Sequence, residues 1–278
     1  MPARYPERIV CLTEETTETL YLLGEERRIV GISGYTVRPP RARREKPRVS
    51  AFLSAKTEKI LQLKPDLVLG FSDLQADIAR DLAKAGLNIM IFNQRSVEEI
   101  LSMIQTLSSL VGAAHKGAQL ILELEAGLAS VRRAASAFPR KPKVYFEEWD
   151  EPMISGIRWV SELVEIAGGE DIFSERSYSQ SASGRIIGDA REVVDQKPDV
   201  ILGSWCGKKF RPEKVAARPG WDAIPAVRDN QLHEIKSAEI LQPGPAALTD
   251  GVRRIHAILA GYLKASSRPS PRTQRRGA

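Results

Sequence analysis

KPDLVLG occupies Lys64 to Gly70, and KPDVILG occupies Lys197 to Gly203. The two prolines lie 133 residues apart in a chain of 278. Each copy follows an amphipathic stretch, TEKILQL before the first and AREVVDQ before the second. Proline disfavours helical geometry in the residue before it, so Lys-Pro marks the end of a helix. Aspartate then stands in the turn, and the apolar run LVLG or VILG reads as a buried strand. Helix, turn and buried strand in that order point to a parallel sheet.

The flanks repeat as well. The first half opens with a strand at RIVCL, a helix at TTETLYLLG and a strand at RIVGIS. The second opens with a strand at KVYFEEW, a helix at WVSELVEIAGG and then EDIF. After the first heptapeptide come a helix, DIARDLAKAG, and a strand, LNIMIF. The fold class is therefore α/β, with two doubly wound parallel-sheet lobes. Between them, Ala113 to Phe138 runs 26 residues without proline. As one helix it would reach about 39 Å. Leu120, Leu124, Leu128 and Val131 share one face of it. The expected division is a first lobe over residues 1–112, a long connecting helix over 113–139, a second lobe over 140–265 and a disordered basic tail over 266–278. A stiff strut of this kind predicts small closure on binding rather than wide opening.

Composition narrows the function. Apolar residues make up 42% and charged residues 27%, as in a globular chain. No apolar run reaches the roughly 18 residues of a membrane span. Cys11 and Cys206 are too few for a disulfide framework or a structural zinc site. The formal charge is +6, and the tail SSRPSPRTQRRGA carries four arginines and no acid. The arginine-dense stretch from Arg38 to Arg48 reads as a solvated loop, so no nucleic-acid partner is expected. His115, His233 and His256 fall away from strand ends, and no metal site is expected. The segment Gly203–Lys209 has three residues between its glycines instead of the four of a phosphate loop, and no Ser or Thr follows its lysines. GxSxG, HExxH and GxGxxG are absent. A non-catalytic binding protein is the reading that remains.

Ligands of open parallel sheets bind beyond the carboxyl ends of the strands. Those ends carry Tyr35, Phe52, Phe71 and Phe92 in the first half, and Trp149 and Trp205 in the second, although only 6% of the chain is aromatic. Facing lobes would turn these rings into a cleft for a large, flat, partly apolar ligand. Lys208, Lys209 and Arg211 follow a strand end and suit carboxylate, phosphate or amide oxygens. Glu14 and Glu15 open a helix, where acids complement the helix dipole.

The segments GYTVRPPRA, KTEKILQLKPDLVLG, VEIAGGEDIF, KPDVILG and RPGWDAIPAVRDNQLHEI carry a family resemblance. Over residues 8–264 the chain resembles the cobalamin-binding proteins of ABC importers, within the helical-backbone (class III) substrate-binding proteins. That wider group takes up cobalamin, iron chelates, haem and metal ions. The resemblance implies a corrinoid held between the lobes and no catalytic cofactor. It places Tyr35, Phe52, Phe71, Trp149 and Met153 against the ligand, with Trp205 after the second repeated strand. An iron chelate or haem is the alternative cargo. The resemblance also implies a monomer that docks on an ABC permease through one glutamate per lobe. Glu58 fits in the first lobe; in the second, Arg191 holds the matching position and Glu192 follows it. The family is periplasmic. The opening MPARYPERIVCL has no apolar leader, and taken as native it implies the cytoplasm, with a corrinoid carrier or an α/β enzyme as the corresponding readings.

Overall fold

The first five strands are β1 (Ile9–Cys11), β2 (Ile29–Ser33), β3 (Arg48–Ser50), β4 (Leu67–Phe71) and β5 (Ile89–Phe92). In the computed structural model, which describes residues 5–267, they form one parallel sheet in the order β3-β2-β1-β4-β5. The basic tail from residue 268 onward lies outside the described residues. The second sheet holds β6 (Lys143–Asp150), β7 (Met153–Ser155), β8 (Glu170–Asp171), β9 (Val200–Gly203) and β10 (Leu232–Glu234). In it β6 lies between β8 and β9, and β10 follows β9, all parallel. The arrangement β2-β1-β4-β5 is thus repeated strand for strand. The hairpin strand β7 is an addition: it runs antiparallel to the carboxyl end of β6, with Trp149 opposite Ile154 and Asp150 opposite Met153.

Every position of the repeated heptapeptide has the same task in both lobes. Lys64 and Lys197 sit in the left-handed region, at φ 46° and 51°, and turn the chain out of the preceding helix. Pro65 and Pro198 are buried behind them. Asp66 then accepts the backbone N–H of Arg8 at 3.0 Å, while its own N–H donates to the Arg8 carbonyl at 2.9 Å. Asp199 does likewise with Lys143, at 2.8 Å in each direction. The aspartate therefore pins the first strand of each lobe beside the repeated strand. The final glycine makes room. A Cβ on Gly203 would lie 1.9 Å from the Phe210 ring, and one on Gly70 would lie 2.7 Å from the Gln75 amide oxygen.

Alternation along the strands divides the interior. Ile9 and Cys11, Leu67 and Leu69, Val144 and Phe146, and Val200 and Leu202 all face one continuous core. Val10 and Val68 face a separate cluster of the first lobe, and Tyr145 and Ile201 face one of the second. The two sheets therefore share an inner core, built on the helices Val97–Leu110, Ala114–Ala135, Arg158–Ile166 and Val252–Ser266. Ser96 and Glu99 form a capping box that starts the first of these. The helix Ala114–Ala135 spans 22 residues, unbroken through Gly127. Its length is about 33 Å. Leu124, Leu128 and Val131 are buried on it and Leu120 packs beside them. The chain leaves this helix before Pro139, where the Phe138 ring stacks on His256 with centroids 5.1 Å apart. Two lobes fused through one core, rather than strung on a linker, have little freedom to swing apart.

Candidate ligand-binding site

The lobes meet at the carboxyl ends of their strands. The helix Glu14–Leu22 follows β1 and carries three acids into this junction. Glu14 accepts the N–H groups of Val37 and Arg38, both at 3.1 Å. Glu18 accepts Arg38 Nε at 2.9 Å and, from the second lobe, the Ala246 N–H at 3.2 Å. Arg38 also reaches Asp250 at 2.8 Å, so one guanidinium ties both lobes. Past β5, the Gln94 amide donates to the Pro243 carbonyl at 2.9 Å, and the Trp159 N–H donates to the Arg95 carbonyl at 2.9 Å. These contacts make the floor of a cleft between the strand-end loops. Glu14 and Glu15 do stand in the first turn of their helix, as the dipole reading expects, but both are buried there, Glu14 beneath the Val37 and Arg38 amides and Glu15 beside Gly244 of the second lobe.

The expected ring positions differ in their exposure. Tyr35 is 59% exposed after β2. Phe52 is half-buried, its carbonyl held by the Gln75 amide at 2.9 Å. Phe71 is buried beneath the Arg95 guanidinium, 4.9 Å from its ring centre. Phe92 belongs to the shared core. Trp149 and Met153 are half-buried across the β6–β7 hairpin, and the Trp149 indole N–H donates to the Glu151 carbonyl at 2.9 Å. Lys208 pairs with Asp150 and sits 4.1 Å over Trp149 and 5.1 Å from Trp205. Trp205 is only 3% exposed; its N–H donates to Glu147 at 3.0 Å and its ring meets Phe210 edge-on at 5.0 Å. It serves chiefly as a core residue, with one edge on a pocket of about 630 Å³. Arg211 lies outside that pocket, where it precedes the helix Pro212–Ala216 and pairs with Glu213 at 3.3 Å. Glu58 is exposed in the first turn of the helix Thr57–Gln62. Glu192 has its carboxylate bound to Arg176, and Arg191 is paired with Asp189.

Several residues of the loops around these rings escaped the sequence reading. Arg185 is 2% exposed, clamped by Glu148 at 2.6 and 3.2 Å and donating to the Ser155 carbonyl at 2.6 Å. Arg95 has Asp73 at 3.4 Å, and burial, reinforced by the charge of Arg185, holds its pKa below the ordinary arginine value. The Nε atoms of both arginines lack a hydrogen-bond partner among the described residues. Leu53 and Leu74, 68% and 60% exposed, extend the apolar rim beside Phe52 and past Phe71. Their places directly beyond strand ends were the available signal. Nothing in SASGRII marks Arg185 as buried.

The acids give the protein a pH signature. Burial pushes Glu14 and Glu15 up to about 7 from 4.5; the N–H bonds from Val37 and Arg38 oppose this at Glu14, and the Thr13 hydroxyl opposes it at Glu15. An acid with a raised folded pKa holds its proton more tightly when folded, so stability declines as pH rises from 4.5 to about 7. Asp199 works at the other end. Burial raises its pKa, but bonds from Arg140, the Lys143 N–H and Tyr262 outweigh burial and hold it below the usual value. Its contribution is complete above roughly pH 3.9 and is lost as pH falls further. Melting temperature is expected to be highest near roughly pH 4–5 and to fall toward pH 7. Glu14→Gln and Glu15→Gln should each flatten that fall. A melting temperature that climbs from pH 5 to 7 would contradict the assignment.

The comparisons agree with this architecture. The family described as periplasmic binding protein matches residues 9–239. A vitamin B12-binding protein of Vibrio cholerae serotype O1 is 26% identical over 261 residues, covering 91% of this chain and 89% of that protein. The periplasmic heme-binding protein RhuT of Roseiflexus sp. RS-1 superposes with a TM-score of 0.77 at 23% identity, over 91% of this chain and 99% of that one. A possible iron-binding periplasmic solute-binding protein of Staphylococcus epidermidis gives a TM-score of 0.77 at 19% identity, over 92% and 99%. These likenesses show a common fold for proteins with different cargo. With two fused parallel-sheet lobes, a cleft at their strand ends and a family match from β1 through β10, the chain belongs to the periplasmic binding protein family, whose members bind their substrates without catalysis.

Proposed function

We propose that the chain is the substrate-binding component of an ABC importer and carries a corrinoid of the cobalamin type in the cleft. The observation that carries this reading is the pairing of an apolar rim with neutralised ions. Tyr35, Leu53 and Leu74 stand exposed on one lobe, and Trp149 lies on the other. Arg185 with Glu148, and Lys208 with Asp150, are already charge-balanced. A corrin offers broad apolar faces and neutral amide arms. Amides can accept from a guanidinium and donate to its carboxylate without leaving either charge uncompensated. Similarity to the V. cholerae vitamin B12-binding protein along nearly the whole chain supports the same cargo.

One feature favours haem as the second reading. Arg95 meets one acid, Asp73, at 3.4 Å, so its guanidinium keeps donors that would suit a propionate, and the Tyr35 phenol stands exposed after β2. In the importer reading, Glu58 is the free acid for docking on the permease, and the partnered Glu192 makes that docking asymmetric. The compartment is the periplasm and the working unit a monomer.

Calorimetric titration with cyanocobalamin, haemin and a ferric siderophore chelate tests the cargo. Cyanocobalamin should bind most tightly. Trp149→Ala and Phe52→Ala should each weaken it by about 1–3 kcal/mol. Tighter binding of haemin, or unchanged affinity in both variants, would reject the corrinoid reading.

A further inference from the structure

The second-lobe segment 243–250 closes onto the first lobe at the helix Glu14–Leu22. Three side chains of the first lobe hold it. The Gln94 amide donates to the Pro243 carbonyl at 2.9 Å, Glu18 accepts the Ala246 N–H at 3.2 Å, and Arg38 reaches Asp250 at 2.8 Å. Gly244 lies directly against Glu15: a Cβ on it would stand 2.5 Å from the Glu15 Cβ. Residues 243–248 are buried there. The segment then runs through a π-turn, Ala247–Gly251, before the helix Val252–Ser266 begins. Such turns are rare and recur at functional sites.

This junction is short of positive charge. Glu14, Glu15 and Glu18 share the first turns of one helix, and all three are buried. The Arg38 guanidinium faces them, and its ion pairs go to Glu18 and Asp250. Glu14 and Glu15 make no ion pair among the described residues. Glu14 accepts the Val37 and Arg38 N–H groups. Glu15 accepts the Thr13 hydroxyl at 2.5 Å, and its second oxygen is buried without a partner among the described residues. The remaining titratable neighbours offer no compensation. Cys11 and Cys206 are thiols whose pKa burial raises, and the further charge that acts on Cys206, that of Glu148, is negative. Lys46 acts on Cys11 but makes no ion pair with either acid among the described residues.

We propose that the junction is a pH-sensitive latch: with Glu14 and Glu15 protonated, residues 243–250 stay closed on the first lobe, and ionisation of the two acids releases them. A buried carboxylate without a counter-cation is unfavourable, and lifting the segment returns it to water. Burial pushes both acids up to about 7 from 4.5. The closed form is therefore fully favoured below pH 4.5 and weakens as pH rises to about 7. Glu14 also grips the loop after β2, two and three residues beyond the exposed Tyr35, so release loosens one wall of the cleft. The device does not depend on which cargo the cleft holds.

Hydrogen exchange of the ligand-free chain tests it, read as protection relative to an unstructured peptide at the same pH. From about pH 5 to about pH 8, protection over residues 243–250 and at Val37 and Arg38 should fall at least roughly tenfold. It should also stay below the protection of β1 and β4 throughout, because the latch opens without unfolding the lobes. Combining Glu14→Gln with Glu15→Gln should abolish most of the fall. Asp250→Asn, which cuts the Arg38 tie and leaves both acids in place, should lower the segment's protection at both pH values and keep the fall. Protection that does not change with pH, that equals that of β1 and β4 at every pH, or that falls as far when both acids are replaced would overturn the latch. The first two outcomes are read on the unaltered chain, so they decide the matter even where a variant fails to fold.

Discussion

Replacing Glu147 by alanine is expected to destabilise the second lobe by about 3–5 kcal/mol, the largest loss for any single truncation in the cleft walls. Glu147 is fully buried at the carboxyl end of β6. Its two oxygens accept from the Trp205 indole at 3.0 Å, the Tyr145 hydroxyl at 3.0 Å and both terminal nitrogens of Arg218, the longer bond at 3.0 Å. Truncation strands a largely buried guanidinium and two further donors at once. The consequence reaches the site, because the same carboxylate holds Trp205, whose carbonyl accepts the Lys208 N–H at 3.3 Å. Glu147→Gln keeps the volume and some hydrogen bonds, so its loss should be smaller. Urea unfolding followed by tryptophan fluorescence reads both variants. A loss below about 1 kcal/mol for Glu147→Ala would show that the cluster is held by packing alone.

Asp199→Ala should cost about 2–3 kcal/mol, against about 1 kcal/mol for Asp66→Ala, although both residues occupy the same place in the repeat. The shared part is the grip on the first strand of the lobe. Asp66 adds only the Glu7 N–H at 2.7 Å and stands exposed. Asp199 adds Arg140 at 2.6 and 3.0 Å and the Tyr262 hydroxyl at 2.8 Å, which joins the helix Val252–Ser266 to the sheet. Arg140 is 47% exposed, so solvent screening trims its share. Melting temperatures of the two variants at neutral pH check the difference. As pH falls below roughly 3.9 the gap should shrink, because the unfolded chain then takes up a proton that folded Asp199, with its lowered pKa, still refuses; it closes once the folded carboxylate is protonated too. Equal losses at neutral pH would mean that the second copy gained nothing from its extra partners.

The architecture was legible because its signals are local. Lys-Pro-Asp followed by LVLG or VILG announces a helix end and a buried strand within seven residues, and the structure shows that each of those residues acts the same way twice. Rings at strand ends were legible for the same reason, with Phe71 and Phe92 the last residues of β4 and β5 and Trp149 near the end of β6. Partners distant in sequence were not. The burial of Trp205 follows from Glu147, 58 residues before it, and that of Arg185 from Glu148, 37 residues before it. Glu14 and Glu15 were legible as first-turn acids, but nothing in TEETTETL reveals their burial, Glu15 beside Gly244 and Glu14 beneath the Val37 and Arg38 amides. The pairing of Glu192 with Arg176 was hidden for the same reason, since Arg176 lies in a separate turn. In each case the deciding fact is which loops the two sheets bring face to face, and no window of sequence contains it.

The central claim is that one ligand is held by the strand-end loops of both lobes together. Hydrogen exchange with and without cyanocobalamin tests it most directly. Slowed exchange is expected at once in Tyr35–Arg38, Leu53, Leu74, Trp149–Met153 and Trp205–Lys209, with the helix Ala114–Ala135 unchanged. Protection confined to the loops of one lobe, or found along that helix instead, would contradict the claim.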